Sequence, residues 1–157
     1  MTAAPARQAD DSPRAVEARA LQPRERRRAP SRRRRLILIV DDAADTRELY
    51  ATYFRFRGFD VVTAPDGDAG IEATVRLKPD VVVMDLAMPR RDGISAAHYL
   101  KHHPRTRKIP VVLLTGYGLR AIHEGALEMG IDVFLTKPCL PEDLEQHVQT
   151  LLGRRQL

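Results

Sequence analysis

The sequence predicts an α/β fold, a doubly wound parallel sheet of five strands with helices on both faces. Three observations carry this. Strand and helix signals alternate five times in the roughly 120 residues from Leu36 onward. The strand segments are near-continuous runs of Val, Ile and Leu, as expected of strands buried on both faces. Gly, Pro and Asp punctuate the joints between the segments.

The first strand is 36–40, "LILIV", which runs straight into Asp41 and Asp42. The first helix is predicted over 43–57, with Leu49, Tyr50, Tyr53 and Phe54 on one face and Gly58 as its stop. Strand two is 59–64. The turn "PDGD" at 65–68 opens helix two, which ends before Pro79. Strand three is 80–85, "DVVVMD", and helix three 94–102. Strand four is 109–115, "IPVVLLT". Helix four is predicted over 119–129 and closed by Gly130; strand five is 132–136. Helix five starts at Pro141, a favoured first helical position, with Glu142 and Asp143 suiting the positive end of the helix dipole. Its buried face is Leu144, Val148, Leu151 and Leu152.

Right-handed crossovers reduce the topologies to a flavodoxin-like (βα)5 sheet of order 2-1-3-4-5. Its switch point lies between strands one and three, so their C-terminal ends are neighbours. Ligands bind at that edge of such sheets. Asp41 and Asp42 end strand one there, Asp85 ends strand three, Thr115 ends strand four, and Lys137 follows strand five ahead of Pro138. Three close carboxylates raise one another's pKa, and a divalent cation relieves the repulsion. Hard oxygen ligands suit Mg²⁺ or Mn²⁺. With an ammonium and a hydroxyl beside the metal, the set can cradle a phosphoryl group. Singly each residue has an ordinary explanation: Asp42 or Ala43 could begin a helix, Asp85 could be a loop acid, Lys137 a surface charge. Their convergence on one edge favours the joint reading.

These residues closely resemble the receiver domain of two-component response regulators, of the stand-alone chemotaxis type. The motifs are "DD" after strand one, "MDLAMPRRDG" carrying Asp85, "LLTG" carrying Thr115 and "FLTKP" carrying Lys137. The second fits the family's D-x-x-M-P-x-x-[DN]-G pattern. The resemblance covers about 36–152. It implies that Asp85 is the phosphoacceptor, supplied by a sensor histidine kinase or a small donor such as acetyl phosphate. It implies that Asp42, Asp85 and the backbone carbonyl of Ala87 ligate Mg²⁺, with Asp41 acting through a bound water. It gives Lys137 and Thr115 the phosphoryl oxygens, and gives Phe134 the place of the switch aromatic, whose ring moves as Thr115 moves inward. Signalling follows by binding a target protein or by relay to a histidine phosphotransfer protein. The family often has a polar residue where Ala87 stands, and Tyr117 stands two after Thr115. Those positions tune the lifetime of the phosphoryl group, so slow self-dephosphorylation is expected. Gly116 keeps the site open.

Two other function classes compete with this reading. A haloacid-dehalogenase-type phosphohydrolase also uses an aspartyl phosphate, but it places an acid two residues beyond the nucleophile. Here Asp41, Asp42 and Asp85 are followed at that spacing by Ala43, Ala44 and Ala87. The second class is nucleic-acid or acidic-surface binding through the Arg-rich start of the chain. Residues 1–35 hold eleven arginines against four acids, net +7, whereas the rest of the 157 residues nets −2. This segment is read as a disordered tail, largely solvated, with weak phosphate contacts as the alternative and a misplaced start codon as a third explanation. The receiver unit is taken as 36–155. No helix-turn-helix follows, so an output domain is not expected in this chain. No apolar run nears the roughly 18 residues of a membrane span. "RRRRLILIV" is too short in its apolar part for an export signal. The one cysteine, Cys139, fits a reducing compartment and reads as a structural thiol, so the cytoplasm is the expected location. The histidines at 98, 102, 103, 123 and 147 read as surface or boundary residues.

Overall fold

In the computed structural model, which describes residues 32–116, 125 and 128–154, the chain order is β1 (Leu36–Val40), α1 (Ala44–Phe56), β2 (Asp60–Ala64), α2 (Gly67–Leu77), β3 (Val81–Asp85), α3 (Gly93–His102), β4 (Val111–Thr115), β5 (Val133–Thr136) and α4 (Pro141–Arg154). The segment before Arg32, Tyr117, and most of the helix expected over 119–129 lie outside the described residues. The sheet order is β2-β1-β3-β4-β5, and every neighbouring pair is parallel. This is the expected 2-1-3-4-5 arrangement.

Successive strand residues point to opposite faces, so each aliphatic run supplies two cores. Ile37 and Ile39 face one layer with Tyr50, Ala51 and Phe54 of α1 and Leu144, Val148, Leu151 and Leu152 of α4. Leu38 and Val40 face the other with Ala73 of α2 and Ala96, Ala97 and Leu100 of α3. Each large side chain so buried contributes about 1.5–3 kcal/mol relative to exposure. The small alanines let the helices approach, and Gly70 takes this furthest. A Cβ there would lie 2.8 Å from Val40 Cγ2.

The face of α1 differs from the expectation. Tyr50, Ala51 and Phe54 are buried, but Leu49 is 58% exposed and Tyr53 is half-buried. Tyr50 and Phe54, four residues apart, define the line of contact with the sheet. Leu49 lies about 100° round the helix from Tyr50 and faces water. Tyr53 instead bonds through its hydroxyl to Glu145 Oε2 of α4, at 2.5 Å.

Strands three and five are also shorter than expected, because their leading aspartates do other work. The Asp80 carboxylate accepts the Leu36 N–H at 2.8 Å, and that of Asp132 accepts the Val111 N–H at 2.9 Å. Each closes the N-terminal edge of a neighbouring strand with its side chain. The described histidines are at the surface or its boundary. His98 and His102 stack at 4.1 Å on one exposed face of α3, a pairing that their four-residue spacing permits.

Candidate functional site

The site is assembled at the C-terminal edge of the sheet. Asp41 is the first residue past β1. Its backbone N–H still bonds to Ala64 O of the neighbouring strand, at 3.2 Å, so its position is fixed by the ladder. Its side chain is buried, and Oδ1 accepts the N–H of Ala43 at 2.9 Å. Arg47, one turn into α1, donates to the Asp41 carbonyl at 2.8 Å. Ala43 is the N-cap of α1 and gives it no side-chain cap. Asp42 is exposed and does not cap the helix, so capping does not account for that acid.

Asp85 is the last residue of β3 and is only 6% exposed. The loop after it is pulled tight. The Gly93 N–H donates to Leu86 O at 2.8 Å, and a Cβ at Gly93 would collide with the Asp85 carbonyl and lie 2.8 Å from Leu86 Cα. That is why the motif ends in glycine. Two salt bridges, Arg90 to Asp66 at 3.5 Å and Arg91 to Asp68 at 2.6 Å, tie the same loop to the start of α2. Asp41, Asp42 and Asp85 each place a carboxylate oxygen within 4.8 Å of the other two.

Lys137 follows β5 and enters this cluster. Its Nζ lies 3.0 Å from Asp41 Oδ2 and 3.2 Å from Asp85 Oδ1. Its backbone N–H donates to Thr115 O at 2.7 Å, and its peptide bond to Pro138 is cis. Burial pushes the Asp85 carboxyl above its ordinary range. The Asp41 and Asp42 charges push the same way, against the opposing pull of Lys137. Burial works against the Lys137 ammonium, but Asp41 and Asp85 outweigh it and hold its pKa above the usual value.

Three carboxylates against one ammonium leave two negative charges uncompensated in a largely buried site. The donors are hard oxygens close enough to share one ion. That donor set and charge deficit fit Mg²⁺.

Thr115 is fully buried at the end of β4, in register with Thr136. Phe134, opposite Leu113, is partly buried against the α2–α3 side of the sheet. Ala87 is exposed in the loop two residues past Asp85. The fold thus brings Asp41, Asp42, Asp85 and Lys137 together and sets Thr115 on the adjoining strand end. Tyr117 falls outside the described residues.

Sequence reasoning missed two contributors. Neither Arg47 nor the Tyr50 hydroxyl carries a motif that marks a role, and the spacing places Tyr50 only on one face of helix one. Tyr50 is indeed buried, yet its hydroxyl donates to the Cys139 carbonyl at 2.7 Å. Periodicity marked the burial; nothing local could name a partner 89 residues away.

Residues 37–149 match the response regulator receiver domain family. The chain belongs to that family. It is 36% identical over 118 residues to the DNA-binding dual master transcriptional regulator RpaA of Synechocystis sp., covering 75% of this chain and 49% of that protein. It is 34% identical over 120 residues to the phosphate regulon transcriptional regulatory protein PhoB of Escherichia coli, covering 76% and 52%. Among solved structures, a putative response regulator from Chloroflexus aurantiacus matches with a TM-score of 0.73 at 28% identity, over 78% of this chain and all of that one. The chain spans about half the length of the curated relatives it matches. Receiver domains are regulators in two-component signalling rather than conventional enzymes, and the family generally binds Mg²⁺ at an acidic pocket. No helix among the described residues is long and apolar enough to cross a membrane.

Proposed function

We propose that this receiver domain accepts a phosphoryl group on Asp85 from a partner histidine kinase in the cytoplasm, and passes the signal to a target protein or a histidine phosphotransfer protein. The observation that carries the reading is the placement of Lys137 Nζ between Asp41 and Asp85, within 3.0–3.2 Å of both, beside the exposed Asp42. An Asp85 carboxylate oxygen attacks phosphorus, the bond from phosphorus to the donor nitrogen breaks, and the imidazole departs with its electron pair. Asp42, Asp85 and the Ala87 carbonyl would hold Mg²⁺, with Asp41 bound to it through water. The bound ion supplies neutralising charge for the approach of an anionic phosphoryl group. Lys137 exchanges a carboxylate for a phosphoryl oxygen, and the Thr115 hydroxyl donates to another. Thr115 moving inward makes room for the Phe134 ring, which carries a local charge event to the outer face of β5. With an alanine at 87 no side chain there can orient an attacking water, which supports a long-lived phosphoryl group.

The same reading divides the chain into an Arg-rich tail, 1–35, and a receiver unit, 36–155. It is supported by the opening of β1 at Leu36 and of the family match at residue 37. Incubation with acetyl phosphate, with and without Mg²⁺, followed by intact mass tests the proposal. The expected result is a Mg²⁺-dependent gain of one phosphoryl group, absent in Asp85→Asn. No adduct from acetyl phosphate or from a panel of histidine kinases would overturn it.

A further inference from the structure

Lys137 must present its ammonium at a fixed point, yet it stands on a loop rather than in a strand. That loop is held from two sides. On one side the Lys137 N–H bonds to Thr115 O of β4 at 2.7 Å. On the other the Tyr50 hydroxyl, reaching across from α1, bonds to Cys139 O at 2.7 Å. Pro138 between them has no N–H to offer. Beyond Cys139 the chain enters α4, where the Leu144 N–H takes up Leu140 O at 3.1 Å.

Tyr50 is well suited to be the second anchor. It is 3% exposed, and its ring is fixed in the α1–α4 core. Its hydroxyl is therefore delivered by a rigid element at a single height above the sheet. A phenylalanine would fill the core equally well, so the hydroxyl has no packing purpose. Arg47, one turn earlier on α1, donates to the Asp41 carbonyl at 2.8 Å. The helix thus braces both sides of the Asp41–Lys137 ion pair, one through each backbone.

We infer that Tyr50 is a positioning residue for phosphoryl transfer, fixing the Lys137 loop through its bond to the Cys139 carbonyl so that Nζ reaches Asp85. This rests on the proposed role of Asp85 and Lys137. It differs from a general packing role because the effect passes through Lys137, the counter-ion of Asp41 and Asp85, and not through the positions of the carboxylates themselves.

The test compares wild type, Tyr50→Phe, Lys137→Ala and the double variant. Phosphorylation by acetyl phosphate is followed by intact mass and Mg²⁺ affinity by calorimetry, with thermal unfolding recorded for each. Tyr50→Phe is expected to slow phosphorylation about three- to tenfold while Mg²⁺ affinity changes less than twofold. In the Lys137→Ala background the same substitution is expected to change the rate less than twofold, since sites acting through one another are not additive. 4-Aminophenylalanine at position 50, which keeps a donor at the para position, is expected to restore the rate. It also decides the matter should Tyr50→Phe fold poorly or the Lys137→Ala background prove too slow to follow.

An unchanged rate in Tyr50→Phe, an equal slowing with and without Lys137, a parallel loss of Mg²⁺ affinity, or no rescue by the amino analogue would each overturn the inference. Wild-type protein that takes no phosphoryl group would instead overturn the reading of Asp85, with Tyr50 then having nothing to position.

Discussion

Asp85 concentrates the tension of the site at the scale of one residue. Its carboxyl is held above its ordinary pKa by burial and by Asp41 and Asp42, so its ionised form costs stability in the metal-free fold. The sign follows from proton binding. Below the ordinary value of 3.8 the group is protonated in folded and unfolded chains alike, and the cost is absent. The cost grows as pH rises through the higher folded value and is complete above it. Asp85→Asn is therefore expected to stabilise the metal-free protein at neutral pH, the advantage shrinking as pH falls toward the ordinary carboxylate value of 3.8. Denaturant unfolding of both proteins across that range checks it. Gly93→Ala acts on the same loop from the backbone. Its Cβ would strike the Asp85 carbonyl, and a destabilisation of about 1–3 kcal/mol with slowed phosphorylation is expected. Asp41, Asp42, Asp85 and Lys137 were legible in the sequence because each follows an apolar run at the same edge. The hydroxyl of Tyr50 was not, because its partner is fixed only once α1 and the β5–α4 loop have packed.

At the scale of elements, helix ends are where local chemistry shows most directly. Asp66 caps α2 by accepting the Ala69 N–H at 2.8 Å, and Asp92 caps α3 by accepting the Ser95 N–H at 2.7 Å. The opposite end of α2 is less well served. Lys78 takes a left-handed conformation, φ 48°, where a side chain crowds the following carbonyl. Lys78→Gly is expected to raise stability by about 0.5–1 kcal/mol without touching phosphorylation, read from the denaturant midpoint. Existence and order of the described elements could be read from the runs of Val, Ile and Leu. Their ends could not, since Asp80 and Asp132 look like strand openings until their side chains are seen closing neighbouring strands. Nor could the true face of α1. Leu49, Tyr50, Tyr53 and Phe54 fit one stripe equally well, and the buried line is Tyr50, Ala51 and Phe54.

For the whole receiver unit, the sheet order is what turns scattered acids into a site. β1 and β3 are adjacent although a strand and two helices separate them in sequence, so Asp41 and Asp85 meet at the switch point. Metal binding should then be visible as global stability, because an ion that binds only the folded cluster shifts unfolding by mass action. Mg²⁺ at about tenfold above its dissociation constant adds about 1.4 kcal/mol, a few degrees in Tm for a domain of this size. That rise is expected for wild type in a calorimetric scan and is expected to shrink sharply in Asp42→Asn. Chemical mapping asks whether Asp85 itself carries the phosphoryl group. Protein treated with acetyl phosphate and Mg²⁺ is reduced with borohydride, which converts an aspartyl phosphate to homoserine, and is then digested and sequenced by mass spectrometry. Homoserine at position 85 alone is the expected result. Homoserine at 41 or 42, or a phosphate that survives reduction on a serine or threonine, would contradict it.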